Sequence, residues 1–257
     1  MKMNYLKKYV YICAFTFFCV NMCTLFSHSE STESKKLEKY KMRVLEKIEL
    51  PKHYHEGLFL KGENIWVSNG QGGETWVIDY ENKKIIERIG SIGTFTEGIT
   101  TSGVLDEYWV TDWEDRKIYK VKIQNSKMIK ISEISTDSEF PAGVLNIHGK
   151  IYVITWLRTP TGTKYYLLEF DNYGKLISKR QLKDIYEPAH MAWDEQYLWI
   201  TSWYSKKVYK VNLESLEVVG RFSSPAKDAT GIVYDGKHFW ITGTYDDLYK
   251  IELIKDE

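Results

Sequence analysis

Beyond Cys23 the chain contains no cysteine; its three cysteines, Cys13, Cys19 and Cys23, all lie in one apolar N-terminal segment. The remainder therefore has no disulfide framework, no thiolate nucleophile and no cysteine-bearing metal site, and its stability must come from packing. Net charge is lacking as well. The 35 Lys and Arg balance 35 Asp and Glu, and no Lys/Arg cluster forms a stripe that would track phosphates, so nucleic acid is not an expected partner. Helical periodicity is also missing, because Gly, Asn and Asp interrupt each candidate helix within about ten residues.

The one long apolar run is Tyr9–Phe26, preceded by Lys2, Lys7 and Lys8 with no acid among them and succeeded by Ser27-His28-Ser29. At about 18 residues it is near the lower limit for crossing a bilayer. Residues 1–29 read as a secretory signal peptide or as a retained N-terminal membrane anchor. Either way the body is expected to be exported, whether periplasmic, secreted or anchored with the domain outside, and that anchor is the only expected membrane contact. Residues 30–41 are polar and charged and read as a spacer. The body, residues 42–257, is long enough for one closed all-β domain with a sizeable core.

Within that body one phrase occurs five times: a small-residue turn ending in Gly or His, an apolar run, then a strand bearing Trp or Tyr. Its anchor residues are Gly57, Gly98, Gly143, His190 and Gly231, at successive intervals of 41, 45, 47 and 41 residues. A period of 40-odd residues made of short strands predicts a β-propeller. Near-copies such as Lys117-Ile118-Tyr119-Lys120-Val121, Lys207-Val208-Tyr209-Lys210-Val211 and Asp247-Leu248-Tyr249-Lys250-Ile251 alternate as half-buried strands do. The fifth repeat lacks a fourth strand. Met42–Leu50 is strand-like and is expected to supply it, closing a five-bladed ring, with a short helix over Glu38–Glu49 as the competing local reading.

In a propeller the start of each first strand and the end of each second strand face the same mouth. The starts carry Glu56, Glu97, Ala142, Ala189-His190 and Thr230; the ends carry Asn69, Trp113, Trp156, Trp203 and Thr244. Trp66, Trp109, Trp199 and Trp240 occupy equivalent second-strand positions and are expected to wedge between repeats, with Trp76 and Trp193 as packing. Trp113, Trp156 and Trp203 lie four residues on from the equivalent positions and are expected to line a pocket. Glu97, a carboxylate at an innermost strand, is a candidate functional group or a structural hydrogen-bonding one. Asn69-Gly70-Gln71-Gly72-Gly73 lacks the Lys-Ser/Thr that would make it a phosphate loop.

These residues resemble those of the glutamine cyclotransferase family, the plant-type and bacterial glutaminyl-peptide cyclotransferases. The likeness rests on Tyr54-His55-Glu56-Gly57-Leu58, Phe95-Thr96-Glu97-Gly98-Ile99-Thr100, Val110-Thr111-Asp112-Trp113, Trp199-Ile200-Thr201-Ser202-Trp203 and Thr230-Gly231-Ile232-Val233-Tyr234-Asp235. It implies a five-bladed propeller that converts N-terminal glutamine to pyroglutamate with release of ammonia and uses no cofactor or metal. It assigns acid/base work to Glu97 and substrate holding to Trp113 and Trp203. Trp156, Glu56, His190 and Asn69 join them as candidate contacts to a peptide or small-molecule substrate. Three positions depart from the family pattern. Glu56 stands for its Gln, Ala189-His190 for its Asn-Glu, and Thr244 for its Lys. The same mouth supports two rival readings: a non-catalytic propeller that binds a peptide or small ligand, and a metal-dependent lactonase or lyase with Glu56, Glu97 and His190 as ligands.

Overall fold

The computed structural model describes residues Tyr40–Lys255. The expected leader or anchor and the spacer up to residue 39 lie outside the described residues. Among the described residues every regular element is a strand. The first is β1 (Tyr40–Ile48). The first repeat then forms β2 (His55–Lys61), β3 (Asn64–Asn69), β4 (Glu74–Asp79) and β5 (Lys84–Gly90), and the second β6 (Thr96–Thr101), β7 (Glu107–Asp112), β8 (Lys117–Gln124) and β9 (Lys127–Ser135). The third supplies β10 (Glu139–Ile147), β11 (Lys150–Thr159), β12 (Gly162–Phe170) and β13 (Leu176–Gln181). The fourth supplies β14 (Pro188–Trp193), β15 (Leu198–Ser202), β16 (Lys207–Val211) and β17 (Val218–Ser223). The fifth has β18 (Ala229–Tyr234), β19 (Phe239–Gly243) and β20 (Leu248–Lys255).

Within each repeat, successive strands pair antiparallel. The third and fourth repeats form separate four-stranded sheets, while the first and second are joined into an eight-stranded sheet by one parallel pairing at Gly90 and Lys127. In the last sheet the order is β1-β20-β19-β18, so the N-terminal strand supplies the strand that the fifth repeat lacks. The helix alternative for this segment is not what forms. The spacer also ends sooner than expected, since Tyr40 and Lys41 already pair with Lys255 and Ile254. Joining the first and last described strands in one ladder leaves β20 covered rather than open as a template for another chain. Lys47 adds an ion pair to Asp247 at 2.8 Å.

The first strands β2, β6, β10, β14 and β18 pack side by side in that order, and β18 returns to β2. This propeller-like ring is held apart by aromatic wedges. Trp66 meets Tyr108 of the next repeat with ring centroids 5.2 Å apart, Trp199 meets Phe239 at 4.6 Å and Trp240 meets Tyr80 at 5.2 Å. Trp109 shares a buried cluster with Val144 and Ile151 of the third repeat. Trp66, Trp109, Trp199 and Trp240 are all buried, and an indole removed from water is worth about 5 kcal/mol in transfer free energy before conformational entropy is counted. Trp199 and Trp240 each donate an indole N–H to a turn carboxylate, Asp194 at 2.7 Å and Asp235 at 2.9 Å.

Candidate functional site

At the start of every first strand the ladder register slips, between His55 and Leu58, Thr96 and Gly98, Pro141 and Val144, Pro188 and Met191, and Ala229 and Gly231. A bulge leaves a residue unpaired and re-aims its side chain. The residues so released are Glu56, Glu97, Ala142, Ala189 and Thr230. All five line one cavity of about 220 Å³. Thus the same point of each repeat becomes one fifth of a shared floor.

The anchor residues, next in the chain, form the layer beneath. Gly57, Gly98 and Gly143 leave room there for the His190 imidazole, which closes the axis. A Cβ on Gly57 would stand 2.6 Å from His190 Nε2, and one on Gly143 would stand 2.6 Å from His190 Cα. This corrects the expected role of His190, which does not line the cavity. Its Nδ1 donates to the Ile232 carbonyl at 3.2 Å, and Nε2 has no partner. Burial drives its pKa down to about 4, leaving the ring neutral at pH 7. Among the described residues no group of three or more His, Cys, Asp or Glu is arranged to hold a metal ion, so the Glu56, Glu97 and His190 ligand set of the rival lactonase or lyase reading does not assemble.

Asn69 is likewise displaced from its expected place. It is fully buried, its Oδ1 accepts from His55 Nδ1 at 2.7 Å and its Nδ2 donates to the Glu74 carbonyl at 3.1 Å. A second-strand end reaches the cavity only where a bulky side chain comes next, and after Asn69 comes Gly70. Phe95 takes the vacant place, since a Cβ on Gly70 would lie 2.4 Å from its ring. Thr244 is also absent from the cavity lining.

The three expected indoles do converge. Trp113 and Trp156 meet edge to face at 5.2 Å, and Trp156 and Trp203 lie 6.4 Å apart. Trp156 is held by a 2.7 Å hydrogen bond from its indole N–H to the Pro188 carbonyl. Tyr54 and Phe95, in edge contact at 5.3 Å, complete the wall. Neither was expected from the sequence, and nor were Glu114 and Arg158 at the rim. A signal for the first two was present. Tyr54 and Phe95 each stand two residues before a floor carboxylate, and Phe140 stands two before Ala142. Asp112 fixes this wall by accepting the Phe95 and Asp115 backbone N–H groups, each at 2.8 Å.

The Glu56 and Glu97 carboxyls come together at the floor, close enough for each to shift the titration of the other. Both titrate above the ordinary carboxylate range. Burial is the main cause for Glu56, with the charge of Glu97 next and then a hydrogen bond that stabilises its protonated form. For Glu97, burial and then the charge of Asp112 drive the pKa up to about 8, against the opposing hydrogen bond from Glu56. Two carboxyls so close in an apolar wall cannot both ionise readily, so the pair retains a proton through neutral pH. Tyr54 is held neutral by burial and by both carboxylates. The arrangement can accept a proton at one oxygen and donate one from another, inside a cavity with aromatic walls.

No family model matches the sequence, and no curated protein matches it. Solved structures do. Glutaminyl cyclase of Myxococcus xanthus superposes with a TM-score of 0.67 at 16% identity, covering 86% of this chain and 99% of that one. A luciferin-regenerating enzyme gives 0.55 at 11% identity over 83% and 95%. A catalytically inactive virginiamycin B lyase from Staphylococcus aureus, solved with quinupristin, gives 0.52 at 14% over 84% and 100%. At these identities the likeness is one of fold, and the chain has a glutaminyl cyclase-like, propeller-type fold.

Proposed function

We propose that the chain is an exported five-bladed propeller enzyme that cyclises N-terminal glutamine to pyroglutamate with release of ammonia. The observation that carries this reading is the buried Glu56–Glu97 pair at the floor of a cavity walled by Trp113, Trp156 and Trp203. The glutaminyl cyclase-like fold supports it. The α-amine nitrogen attacks the side-chain amide carbon, a C–N bond forms, and the bond to the amide nitrogen breaks. Glu97 takes the proton released by the amine. A free α-amino group has a pKa of about 7.7–8.0, so near neutral pH part of it is already the neutral amine that attacks. The proton on the Glu56 side of the pair passes to the leaving nitrogen, which departs as ammonia. The pair begins and ends with the same number of protons.

Trp113 and Trp203 hold the glutamine side chain. Their indole N–H groups have no partner among the described residues, and with the Tyr54 phenol they are the donors available to meet negative charge on the amide oxygen. No cofactor is invoked. The N-terminal segment, read as a leader or anchor, puts this activity outside the cytoplasm. Cell fractionation with N-terminal sequencing of the mature chain checks that location.

The decisive test is incubation of the purified protein with several Gln-leading peptides and mass measurement of the products. The expected result is loss of one ammonia at a rate well above the spontaneous one. Absence of that loss in every peptide leaves the second reading, a binding propeller. What favours the second reading is that Ala142 and Ala189 give the floor no side-chain donor on one side.

A further inference from the structure

β11 differs from its four counterparts. β3, β7, β15 and β19 end at Asn69, Asp112, Ser202 and Gly243, one residue before the position that Trp156 occupies in the third repeat. β11 instead runs on through Trp156, Leu157, Arg158 and Thr159, paired throughout with β12, where Arg158 faces Thr163 and Thr159 faces Gly162. The third repeat also spans the longest interval in the sequence, 47 residues between Gly143 and His190. The extra length thus becomes a paired hairpin standing at the mouth.

Side chains two apart in a strand share a face and lie about 7 Å apart along it. Trp156 and Arg158 both line the cavity, so Arg158 stands one such step further out. Its guanidinium lies over the Phe140 ring at 4.6 Å and within 5.7 Å of the Trp113 ring centroid. Arg116 also lies over Phe140, at 4.4 Å. Stacking fixes the plane of a guanidinium while leaving its edge N–H groups free for a carboxylate. Arg158 forms no ion pair with Glu114, nor with any other acid among the described residues. It is the one cationic side chain lining a cavity that otherwise carries Glu56, Glu97 and Glu114.

We infer that Arg158 is a carboxylate subsite, which selects peptides bearing an anionic group one residue beyond the terminal glutamine. The group is either an acidic second side chain or the C-terminal carboxylate of a dipeptide. Extended peptide advances about 3.4 Å per residue, and a side chain adds the remaining reach. The amine end meets the floor carboxyls and the carboxylate meets the cationic rim, so the two ends of the ligand face groups of opposite character. The inference deepens the cyclisation reading and rests on it for the identity of the terminal residue.

The test compares Gln-Glu-amide, Gln-Gln-amide, Gln-Lys-amide and free-acid Gln-Gly as substrates of the full chain. A second arm measures binding of the same series with norvaline, which cannot cyclise, in place of glutamine. An exposed charge-assisted pair predicts an acidic-over-basic preference of about tenfold in kcat/KM at low salt, shrinking as salt is added. In Arg158→Gln the ratio should approach one, and in Arg158→Glu it should invert. An acidic preference that survives Arg158→Gln, or no preference in the wild type, overturns the subsite while leaving cyclisation standing. Arg158-dependent binding of the acidic norvaline peptides with no turnover of any glutamine peptide keeps the subsite and overturns the cyclase. Neither turnover nor charge-dependent binding overturns both.

Discussion

Trp109 and Trp113 lie four residues apart in one repeat, and so do Trp199 and Trp203, yet the members of each pair do different work. The inner members are buried between repeats; Trp199 is tied to a turn carboxylate and packed on Phe239 of the next unit. The outer members stand just past the last strand residues, Asp112 and Ser202, and are only partly covered. They form a wall with Trp156 and leave their indole N–H groups without a partner among the described residues. The contrast is one of position. An indole with neighbours on every side contributes to stability, and one with neighbours on a single side offers its other face to a ligand.

The largest expected effect sits on the stability side of that contrast. Trp199→Ala should lower stability by about 3–5 kcal/mol, which for a domain of this size moves Tm down by about 10 °C. Thermal unfolding checks it, and a loss below about 1 kcal/mol would falsify the wedge. Next in size is Glu97→Gln. Removing the proton carrier should lower kcat by about 10²–10⁴ with Tm unchanged or slightly raised, because a buried acid is replaced by a neutral amide. Retained turnover with a sharply lower Tm marks Glu97 as structural instead.

A smaller effect is expected for Trp203→Ala. One pocket wall is lost, so KM for a Gln-leading peptide should rise about tenfold, while Tm falls by less than half the drop of the wedge variant. Equal Tm losses for Trp199→Ala and Trp203→Ala erase the distinction between the two sets of indoles. The smallest effect concerns pH. Between about pH 4.5 and 8 the native pair retains a proton that the unfolded chain has released. The unfolded state then binds fewer protons, so the pair's contribution to stability falls as pH rises, by up to about 1.4 kcal/mol per pH unit per proton. Glu56→Gln should flatten that slope and raise Tm at pH 8. Parallel Tm profiles for the two proteins argue against a shared proton.

Much of the fold and part of the site were legible in the sequence. The spacing of Gly57, Gly98, Gly143, His190 and Gly231 marked the repeats, and the missing last strand pointed to Met42–Leu50, which pairs as β1. The convergence of Glu56, Glu97, Trp113, Trp156 and Trp203 was expected from equivalence of position. His190 and Asn69 were misplaced for a common reason: sequence gives the position along the strand, but not which way a side chain turns at a bulge. His190 continues past the bulge into the axis, and Asn69 turns inward to bond His55 and Glu74.

Arg158 was not legible at all, because a long interval between repeats does not reveal whether the surplus forms a loose loop or a paired hairpin. By itself the sequence determined the period, the strand content and the residues that recur at the mouth, all of which are local or repeated and so survive without knowledge of the partners. Only the tertiary structure decided that two carboxyls meet, that an imidazole fills the space left by three glycines, and that one strand extends to hold a guanidinium over the rim. Those are distances between residues far apart in the chain, and they are fixed by how bulges and side-chain volumes settle around a closed ring.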